Sequence, residues 1–538
     1  MMDGDATHWS VGPADLKPYA NDAFCEGINR FMLHQATCQP PSDGKPGYEF
    51  CAGQHFTPNI TWWEQSPAFF TWLARCQYML QKGTFVADVC FYLGERPPTL
   101  APPKYIVPSL GPGYDCDYSN SDVMLNRMSV RDGRIVLPDG MSYRLLVLQN
   151  CTSPSQEICD KVGAYQKLSV SSVPSTEMSI EVIKKLRELI LAGATVVGPP
   201  PEKAVGLKNY PESDKQLRKI AAEIWGDLDG KTHTERKLGK GRVIWGKTPR
   251  EILLADGLTP DFTFTGQVAN PEQFDYIHRK QGDAEIYFVI NRTNQPVKKD
   301  FTYRVAGKQP EIWNVVTGEI RKANAFVQAN GSTTLSLNLD RFDSYFIVFR
   351  KPVPVDAGKS HKTNFPELKE LTELSGSWKI SFDPKWGGPD TVTFPKLVSW
   401  TDRPEDGIKY YSGTATYKKT FDLTLETARI GRLFLDLGEL KDVAEVRLNG
   451  KKLGILWCAP WRVEITEAAK STGNLLAVDV INLWANRVIG DLSLPVKNRY
   501  TTTHDGFRFD FLAKKTPLLR SGLFGPVKVY LATDLLLK

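Results

Sequence analysis

The chain has 538 residues, of which 41% are hydrophobic, 24% charged and 11% aromatic. This composition excludes a disordered, collagen-like or coiled-coil protein, and the length predicts three or four domains at roughly 150 residues each. The net charge of +6 includes no long run of lysine and arginine, so we expect no nucleic-acid partner. No segment reaches the roughly 20 apolar residues that a membrane helix needs, so we expect no membrane partner.

The nine cysteines are an odd number, and none of them form a Cys-x-x-Cys pair. This pattern predicts reduced, mostly buried thiols in place of a disulfide framework or a zinc knuckle. The start, M-M-D-G-D-A-T-H-W-S, has neither a basic nor an apolar segment, so no signal peptide is expected. The sequence as written therefore indicates a cytoplasmic protein, and a periplasmic or secreted one if the true start lies upstream.

The first segment, residues 1–83, is expected to form one strand, a long loop and a helix. Residues 28–33 are an apolar strand candidate that runs into His34 and Gln35, and a loop rich in proline and glycine follows. Residues 62–80 have helical periodicity, and Gly83 is the expected stop. The predicted apolar face of this helix consists of Trp63, Phe70, Leu73, Gln77 and Leu80. The unit cannot bury that face alone, so we interpret it as part of a larger β/α array.

The second segment, residues 84–265, is predicted to be a flavodoxin-like α/β layer. Residues 86–93 and 143–148 are continuous apolar runs, as expected of parallel strands that are covered on both faces. Residues 181–192 have helical spacing and end at Gly193, and residues 194–197 form the next strand. A strand, a helix and a strand in this order indicate a βαβ unit.

The rest of the chain is predicted to be all-β. Residues 266–352 carry strand patterns that indicate a β-sandwich, and a polar linker occupies 353–372. Residues 373–538 form a further antiparallel sandwich, in which Asn449-Gly450 supplies the turn of a tight hairpin. The predicted fold class is therefore multidomain, α/β plus all-β.

Residues 241–248, G-R-V-I-W-G-K-T, match the spacing of a phosphate-binding loop. The four spacer residues are strand formers, whereas that loop needs flexible backbone around the phosphates. We therefore predict a strand here, with Thr248 capping a helix whose first residue is Pro249.

Residues 115–126 begin like a calcium-binding loop. The sixth position is Asn120 where such a loop has glycine, and the twelfth is Asn126 where it has a bidentate glutamate. We therefore interpret this stretch as the capped start of a helix before Val123.

The loop between the first predicted strand and its helix is the most informative part of the chain. In β/α barrels, the chemistry collects in loops after the strands. Flat aromatic rings beside amide, imidazole and carboxylate groups suit a sugar, which offers an apolar face and a rim of hydroxyls. The alternative is that each residue merely satisfies the loop backbone or fills the core, although so many in one loop exceed what folding requires. The residues in question are His34, Gln35, Tyr48, Glu49, His55, Asn59, Trp62 and Trp63.

Several strings in the chain resemble glycoside hydrolase family 106, the α-L-rhamnosidases and related glycosidases. They include C-E-G-I-N-R-F-M-L-H-Q from Cys25, P-G-Y-E-F from Pro46, H-F-T-P-N-I-T-W-W from His55 and G-A-T-V-V-G-P-P-P from Gly193. The final segment, with E-V-R-L-N-G-K-K-L-G and N-L-W-A-N-R-V-I-G-D, resembles the galactose-binding-like, jelly-roll-like sandwich called the family 2 sugar-binding domain. The resemblance spans nearly the whole chain.

The resemblance also implies that much of a catalytic barrel lies outside this sequence. Family members are about twice as long, and a barrel strand that supplies a glutamate precedes the W-S-V-G-P-A-D-L-K-P equivalent. Inverting glycosidases use two carboxylates about 6.5–9.5 Å apart. We expect this chain to hold at most one, Glu49, since Glu64 and Glu26 are expected on helix surfaces. Residues 1–83 would then be a barrel remnant that docks on the flavodoxin-like layer or needs a missing N-terminal half as partner.

The resemblance implies a glycosidase that removes terminal deoxy-sugars from a glycan or oligosaccharide substrate, although this chain by itself is expected to be inactive. The implied site has Glu49 as catalytic residue and a set of substrate-binding residues. The visible residues require no cofactor, whereas the family resemblance implies Ca²⁺ with unassigned ligands. The substrate-binding residues are His34, Gln35, His55, Asn59 and Trp62.

Two other functions stay open from the sequence. The first is a non-catalytic carbohydrate-binding protein that uses the C-terminal sandwich. Trp457, Trp461 and Trp484 would be its platform, although a core role suits each of them equally. The second is a structural remnant, which predicts that no sugar binds.

Overall fold

The computed structural model describes residues 8–49, 54–95, 101, 110–148, 177–267, 272–354, 363–423, 431–505, 512 and 515–533. Within these ranges no helix has both the length and the apolarity to cross a membrane. Of the six cysteines that the structure describes as free thiols, only Cys38 is exposed. This agrees with the prediction of reduced, mostly buried thiols.

The N-terminal segment has two helices that pack against each other. Helix α2 ends three residues before Gly83, and it buries Phe69, Trp72 and Cys76 together with Leu73. The predicted face, which ran through Phe70 and Gln77, is therefore rotated from the observed one. The elements of this segment are α1 (Pro13–Cys25), β1 (Pro46–Glu49), α2 (Ser66–Leu80) and β2 (Thr84–Phe85).

The prediction of a strand at residues 28–33 is wrong, because this segment pairs with no strand in the described part of the chain. A strand needs a neighbour for its backbone N–H and C=O groups, and no strand in the described ranges lies beside it. Met32 is 95% exposed. The Phe31 N–H donates instead to the Gln77 side-chain oxygen at 2.7 Å, so a side chain of α2 holds this stretch.

The α/β unit that follows confirms the flavodoxin-like prediction. Its five parallel strands lie in the order β4-β3-β8-β9-β11, which is the 2-1-3-4-5 order of a flavodoxin-like sheet, and β10 joins antiparallel at the edge. Helix α4 ends at Gly193 as predicted. The elements are β3 (Val89–Tyr92), β4 (Cys116–Ser119), α3 (Ser121–Asn126), β5 (Ser129–Arg131), β6 (Arg134–Val136), β7 (Ser142–Tyr143), β8 (Leu145–Leu148), α4 (Ile180–Ala192), β9 (Thr195–Val197), α5 (Glu212–Trp225), β10 (Glu235–Leu238), β11 (Gly241–Ile244) and α6 (Pro249–Ala255).

Both motif interpretations in this unit are confirmed. The start of the nominal phosphate loop is strand β11, and the Thr248 hydroxyl accepts a hydrogen bond from the Glu251 N–H at the start of α6. The nominal calcium loop runs into α3, where the Asn120 side chain accepts from the Val123 N–H at 3.0 Å. Both residues are therefore N-caps.

The next unit, here called the first sandwich, packs a four-stranded sheet against a six-stranded one. The sheet orders are β12-β15-β19-β18 and β17-β16-β20-β14-β13-β2, so strand β2 of the N-terminal segment completes the second sheet. The strands are β12 (Phe262–Phe264), β13 (Phe274–Gln281), β14 (Ala284–Asn291), β15 (Val297–Tyr303), β16 (Lys308–Asn314), β17 (Ile320–Lys322), β18 (Val327–Ala329), β19 (Ser332–Leu339) and β20 (Ser344–Pro352).

The last unit, the C-terminal sandwich, has sheets in the orders β21-β33-β25-β29 and β23-β22-β24-β30-β27-β28. Asn449 and Gly450 have φ values of 53° and 83°, which confirms the predicted hairpin between β27 and β28. The elements are β21 (Glu367–Glu373), β22 (Trp378–Ser381), β23 (Val392–Phe394), α7 (Asp406–Lys409), β24 (Thr414–Phe421), β25 (Arg432–Asp436), β26 (Glu439–Lys441), β27 (Val443–Leu448), β28 (Lys451–Leu456), β29 (Arg462–Glu464), β30 (Asn474–Ile481), α8 (Ala485–Asp491), β31 (Thr502–Asp505), β32 (Gly522–Gly525) and β33 (Lys528–Thr533).

The main packing of the N-terminal segment is on the two sandwiches, although one of our alternatives placed it on the α/β layer. The buried Lys17 ammonium of α1 lies 3.2 Å from the Asp343 carboxylate, which directly precedes β20. The apolar side chains of α2 share a core with Phe288 of the first sandwich and Trp457 of the C-terminal one. The segment packs here because the two sandwiches present an apolar surface that the aromatic face of α2 can cover.

A buried histidine joins the first sandwich to the α/β unit. The ring nitrogens of His278 lie 2.9 Å from Asp261 Oδ2 and 3.0 Å from Glu285 Oε2, and Arg304 links Asp261 to Asp88 just before β3. Two carboxylate acceptors favour the doubly protonated ring. Burial alone lowers the pKa of His278, but Asp261 and Glu285 outweigh it and raise this pKa above its usual value.

This arrangement predicts a stability that falls at alkaline pH. A raised folded-state pKa gives stabilisation that is complete below the unfolded-state pKa of about 6.5 and is lost as the pH rises through the folded-state value. We expect the free energy of unfolding to fall more steeply between pH 6 and 9 for the wild type than for His278→Gln, measured by denaturant titration. The exposed His233→Gln variant should follow the wild type, and parallel curves for wild type and His278→Gln would contradict the prediction.

Candidate functional site

The loop that carries most of the predicted site residues is attached to the C-terminal sandwich. Strand β1 in this loop pairs in parallel with β31, so that Pro46 lies opposite Thr502 and Glu49 opposite Asp505. This pairing attaches the tip of the loop to a strand that lies more than 450 residues further along the chain.

The neck of the same loop is closed by backbone hydrogen bonds. The Gln35 N–H donates to the Gln54 carbonyl at 2.6 Å, and the Gln54 and Phe56 N–H groups donate to the His34 and Gln35 carbonyls at 2.8 Å. His34 and Gln35 therefore lie directly beside the stretch that contains His55.

An aromatic cleft, defined by Trp9, His55, Trp62 and Trp484, opens between the N-terminal segment and the C-terminal sandwich. The space between its walls is about 350 Å³ when the open mouth is included. The centre of a water molecule can occupy only about 20 Å³ of that space. The side chains therefore fill most of the cleft, and its open space lies at the mouth. The other lining residues are Val11, Leu16, Gln54, Phe56, Ile60, Thr61 and Leu483.

His55 is surrounded by rings in this cleft and is only 8% exposed. Its imidazole centroid lies 5.1 Å from that of His8 and 6.2 Å from that of Trp9. Trp62 packs edge-on against Phe69 at 6.2 Å, so it lines the cleft and also belongs to the core behind it. The cleft thus combines flat apolar surfaces with imidazole nitrogens, a pairing that suits a sugar ring.

Trp484 ties the walls of the cleft together. Its indole N–H donates to the Asn59 carbonyl at 2.6 Å, and the next residue, Ala485, donates its N–H to the Trp9 carbonyl at 3.2 Å. On the other side, the Trp386 ring packs edge-on against Trp484 at 4.7 Å. The Trp484 side chain and the Ala485 backbone therefore attach the loop and the N-terminal stretch to the C-terminal sandwich.

Helix α8, which begins directly after Trp484, is held by buried polar groups. The Asn486 side chain donates to the Leu519 carbonyl and accepts from its N–H, at 2.7 and 2.8 Å. Asp491 accepts from the Arg487 guanidinium at 3.1 Å and from the Thr501 N–H at 2.7 Å, all within the protein interior. This satisfied network positions Trp484 on a rigid element.

The structure brings some of the predicted residues together at the cleft. His55 and Trp62 line the cleft, and the backbone carbonyl of Asn59 accepts a hydrogen bond from the Trp484 indole. His34 is exposed and Gln35 is half-buried at the loop neck, outside the cleft lining. Glu49 ends strand β1, and its side chain lies outside the described part of the chain.

The tryptophan platform considered for the C-terminal sandwich is wrong. All three indoles are buried, and they belong to three separate cores. Trp457 packs on Phe69 and Trp72 with centroids 5.4 Å away in each case, and Trp461 lies inside the sandwich. Trp457 and Trp461 therefore have the core role that we considered, and of the three only Trp484 also lines the aromatic cleft.

One ring of the cleft, that of Trp9, was missed from the sequence, as was its neighbour His8, which packs against His55. Both residues lie before α1, where no strand or helix pattern draws attention to them. A signal was nevertheless present, because Trp9 opens the string W-S-V-G-P that was quoted for the family resemblance only as a positional marker.

The Ca²⁺ implied by the resemblance finds no ligand set in the part of the chain that the structure describes. No group of three or more His, Cys, Asp and Glu side chains gathers there in a way that could hold a metal ion. We therefore assign no Ca²⁺ site and derive no step through a metal.

Sequence comparison with known proteins assigns the family. The profile of glycoside hydrolase family 106, described as alpha-L-rhamnosidase, matches residues 1–167 and 152–327, which is more than half of the chain. The protein therefore belongs to glycoside hydrolase family 106. All of the site residues predicted from the loop lie inside the matched region.

Two relatives show how much of such a protein this chain represents. A rhamnosidase from Novosphingobium sp. PP1Y superimposes with a TM-score of 0.83 and 30% identity, over 98% of this chain and 46% of that one. A putative beta-glucuronidase from Formosa agariphila is 24% identical, over 97% of this chain and 62% of the relative. The chain thus spans less than two thirds of the length of either relative.

Proposed function

We propose that this protein acts in the hydrolysis of terminal deoxy-sugar residues, of the L-rhamnose type, from glycans. The aromatic cleft is the observation that carries the proposal. Rings from three distant parts of the chain, Trp9, His55 with Trp62, and Trp484, converge on one opening. Such surfaces cover the apolar face of a deoxy-sugar, whose methyl group extends that face.

The chemistry of hydrolysis requires two carboxylates, one on each side of the glycosidic bond. We propose Glu49 as one of them, because its strand belongs to the same anchored loop as His55. His55 would hold a sugar hydroxyl through a ring nitrogen, while Trp62 and Trp484 exclude water from one face. The second carboxylate must approach from the open side of the cleft, and we assign it to no residue described here.

We also propose that the C-terminal sandwich is of the galactose-binding-like type. Its two antiparallel sheets and the hairpin at Asn449 and Gly450 are compatible with that assignment. In this proposal the sandwich supports the site in two ways. It carries Trp484, which lines the cleft, and β31, which pairs with β1 of the loop.

The proposal predicts that changes in the cleft weaken sugar binding. We expect His55→Gln and Trp62→Phe each to weaken the binding of a rhamnosyl oligosaccharide by about fivefold, because each removes one polar or stacking contact of roughly 1 kcal/mol. Isothermal titration calorimetry measures the affinity, and thermal unfolding confirms that each variant is folded.

Trp461→Phe, in the core of the C-terminal sandwich, and His233→Gln, on the surface, are the matched controls and should bind like the wild type. Binding that survives both cleft substitutions would remove the basis of the proposal. If the wild type hydrolyses a chromogenic rhamnoside, Glu49→Gln should abolish that turnover, and an equal, measurable rate in both would exclude Glu49.

A further inference from the structure

A second and larger concavity lies between the first sandwich and the C-terminal sandwich. Solvent can reach about 1190 Å³ of space inside it, above the ~300–1000 Å³ of pockets that hold small molecules. One wall carries Lys298, Arg321 and Lys322, and the opposite wall carries Arg432 and Arg462. We call this feature the cationic groove.

Positive charge dominates the lining of the cationic groove. Its carboxylates are Glu319, Asp340 and Asp343, against the five cations named above. Asp343 is already paired with the buried Lys17. This pairing reduces the negative charge that the groove presents.

Two of the lysines are available for a ligand. Lys298 and Lys322 are exposed, and within the described ranges no carboxylate lies within 4 Å of either ammonium. By contrast, Arg462 is paired with Asp436 and Arg432 with Glu464, each at 2.7 Å. An anion that enters the groove would therefore meet ammonium groups without displacing an internal partner.

The remaining lining suits a polyhydroxylated chain. The Arg321 guanidinium lies 4.6 Å from the centroid of the Phe365 ring and forms a flat surface with it. The exposed amides of Asn324 and Asn338 lie along the same groove. Amide groups can donate to and accept from sugar hydroxyls at once, and the flat surface can cover a sugar ring.

We propose that the cationic groove binds an acidic oligosaccharide, one that carries carboxylate or sulfate groups, at a site separate from the aromatic cleft. The size of the groove accommodates several sugar units, and its unpaired lysines select for acidic ones. The groove would hold the body of a charged polysaccharide. This inference does not depend on the chemistry proposed for the cleft.

The test is calorimetric titration of the full chain with hexagalacturonate, with a sulfated carrageenan hexamer and with neutral cellohexaose. We expect at least one acidic hexamer to bind the wild type, and Lys298→Glu/Lys322→Glu to weaken that binding roughly tenfold or more, with an effect that shrinks at high salt. Lys184→Glu/Lys219→Glu, which changes the net charge equally on the exposed helices α4 and α5, should bind like the wild type.

The comparison of the two acidic hexamers identifies whether carboxylate or sulfate is preferred, and binding of either supports the site. Equal loss in both double variants, equal binding of cellohexaose, or no binding of either acidic hexamer would overturn it. His55→Gln should leave the affinity for the acidic hexamer unchanged, so failure of the cleft and failure of the groove are distinguishable.

Discussion

Replacement of Lys17 by methionine is expected to lower the free energy of unfolding by about 3–5 kcal/mol. The ammonium of Lys17 is buried, and it is the cation that faces the buried carboxylate of Asp343 at 3.2 Å. Methionine fills the space but leaves that carboxylate uncompensated in the interior. Denaturant titration followed by tryptophan fluorescence measures the change.

The double variant Lys17→Met/Asp343→Asn separates charge from packing. It removes both charges and keeps the shape, so it should be markedly more stable than the single variant. Lys215→Met, which breaks the exposed pair with Glu212, should change stability by less than about 1 kcal/mol. Equal destabilisation of the single and double variants would refute the electrostatic explanation. The single variant should also weaken sugar binding, because α1 holds the Trp9 wall of the cleft.

The second large effect is expected for Asp491→Ala, with a loss of about 3–5 kcal/mol. The substitution leaves the Arg487 guanidinium buried without its carboxylate, and it removes the acceptor for the Thr501 N–H and hydroxyl groups. Because helix α8 carries these groups directly after Trp484, the rings of the cleft should lose their fixed positions. Thermal unfolding and near-UV circular dichroism report on stability and on tryptophan packing.

Asp491→Asn keeps the size of the side chain and one acceptor oxygen, so an intermediate loss is expected. The control is Arg520→Ala, which breaks the exposed pair with Glu439 in the same unit and should stay within about 1 kcal/mol of the wild type. A wild-type unfolding curve for Asp491→Ala would show that the buried network does not stabilise the helix.

The α/β unit illustrates what local sequence pattern determines. The apolar run at Leu145–Leu148 and the helix that ends at Gly193 appear close to where they were predicted. Both signals are local, since a strand covered on two faces must be continuously apolar and a helix stop favours a glycine with positive φ. The order of the strands in the sheet, by contrast, follows from no local residue pattern.

The N-terminal segment shows where local pattern is insufficient. Residues 28–33 include four apolar residues, as a strand would, yet pairing depends on a neighbouring strand that the local pattern cannot reveal. Helix α2 is apolar on most of its circumference, so its periodicity favours no single face. The partners, Phe288 and Trp457, decide which side is buried.

Only part of the cleft could be predicted from the sequence, again because contacts between distant residues decide the rest. His55 and Trp62 could be selected because sugar-binding residue types cluster in one loop. Trp484 was considered only for a different surface, since its contact with Asn59 joins residues 425 positions apart. Contacts between residues so far apart in the sequence are determined only by the tertiary structure.

The pairing of β1 with β31 has a consequence for how the protein is made. Pro46 and Thr502 are 456 positions apart, so this contact closes almost the entire chain and raises the contact order of the unit around it. At about 5–20 residues per second, the first strand waits roughly half a minute to a minute and a half on the ribosome before its partner is synthesised. The loop that carries β1 therefore stays without its partner strand for most of translation, and we expect chaperones to protect it during that time.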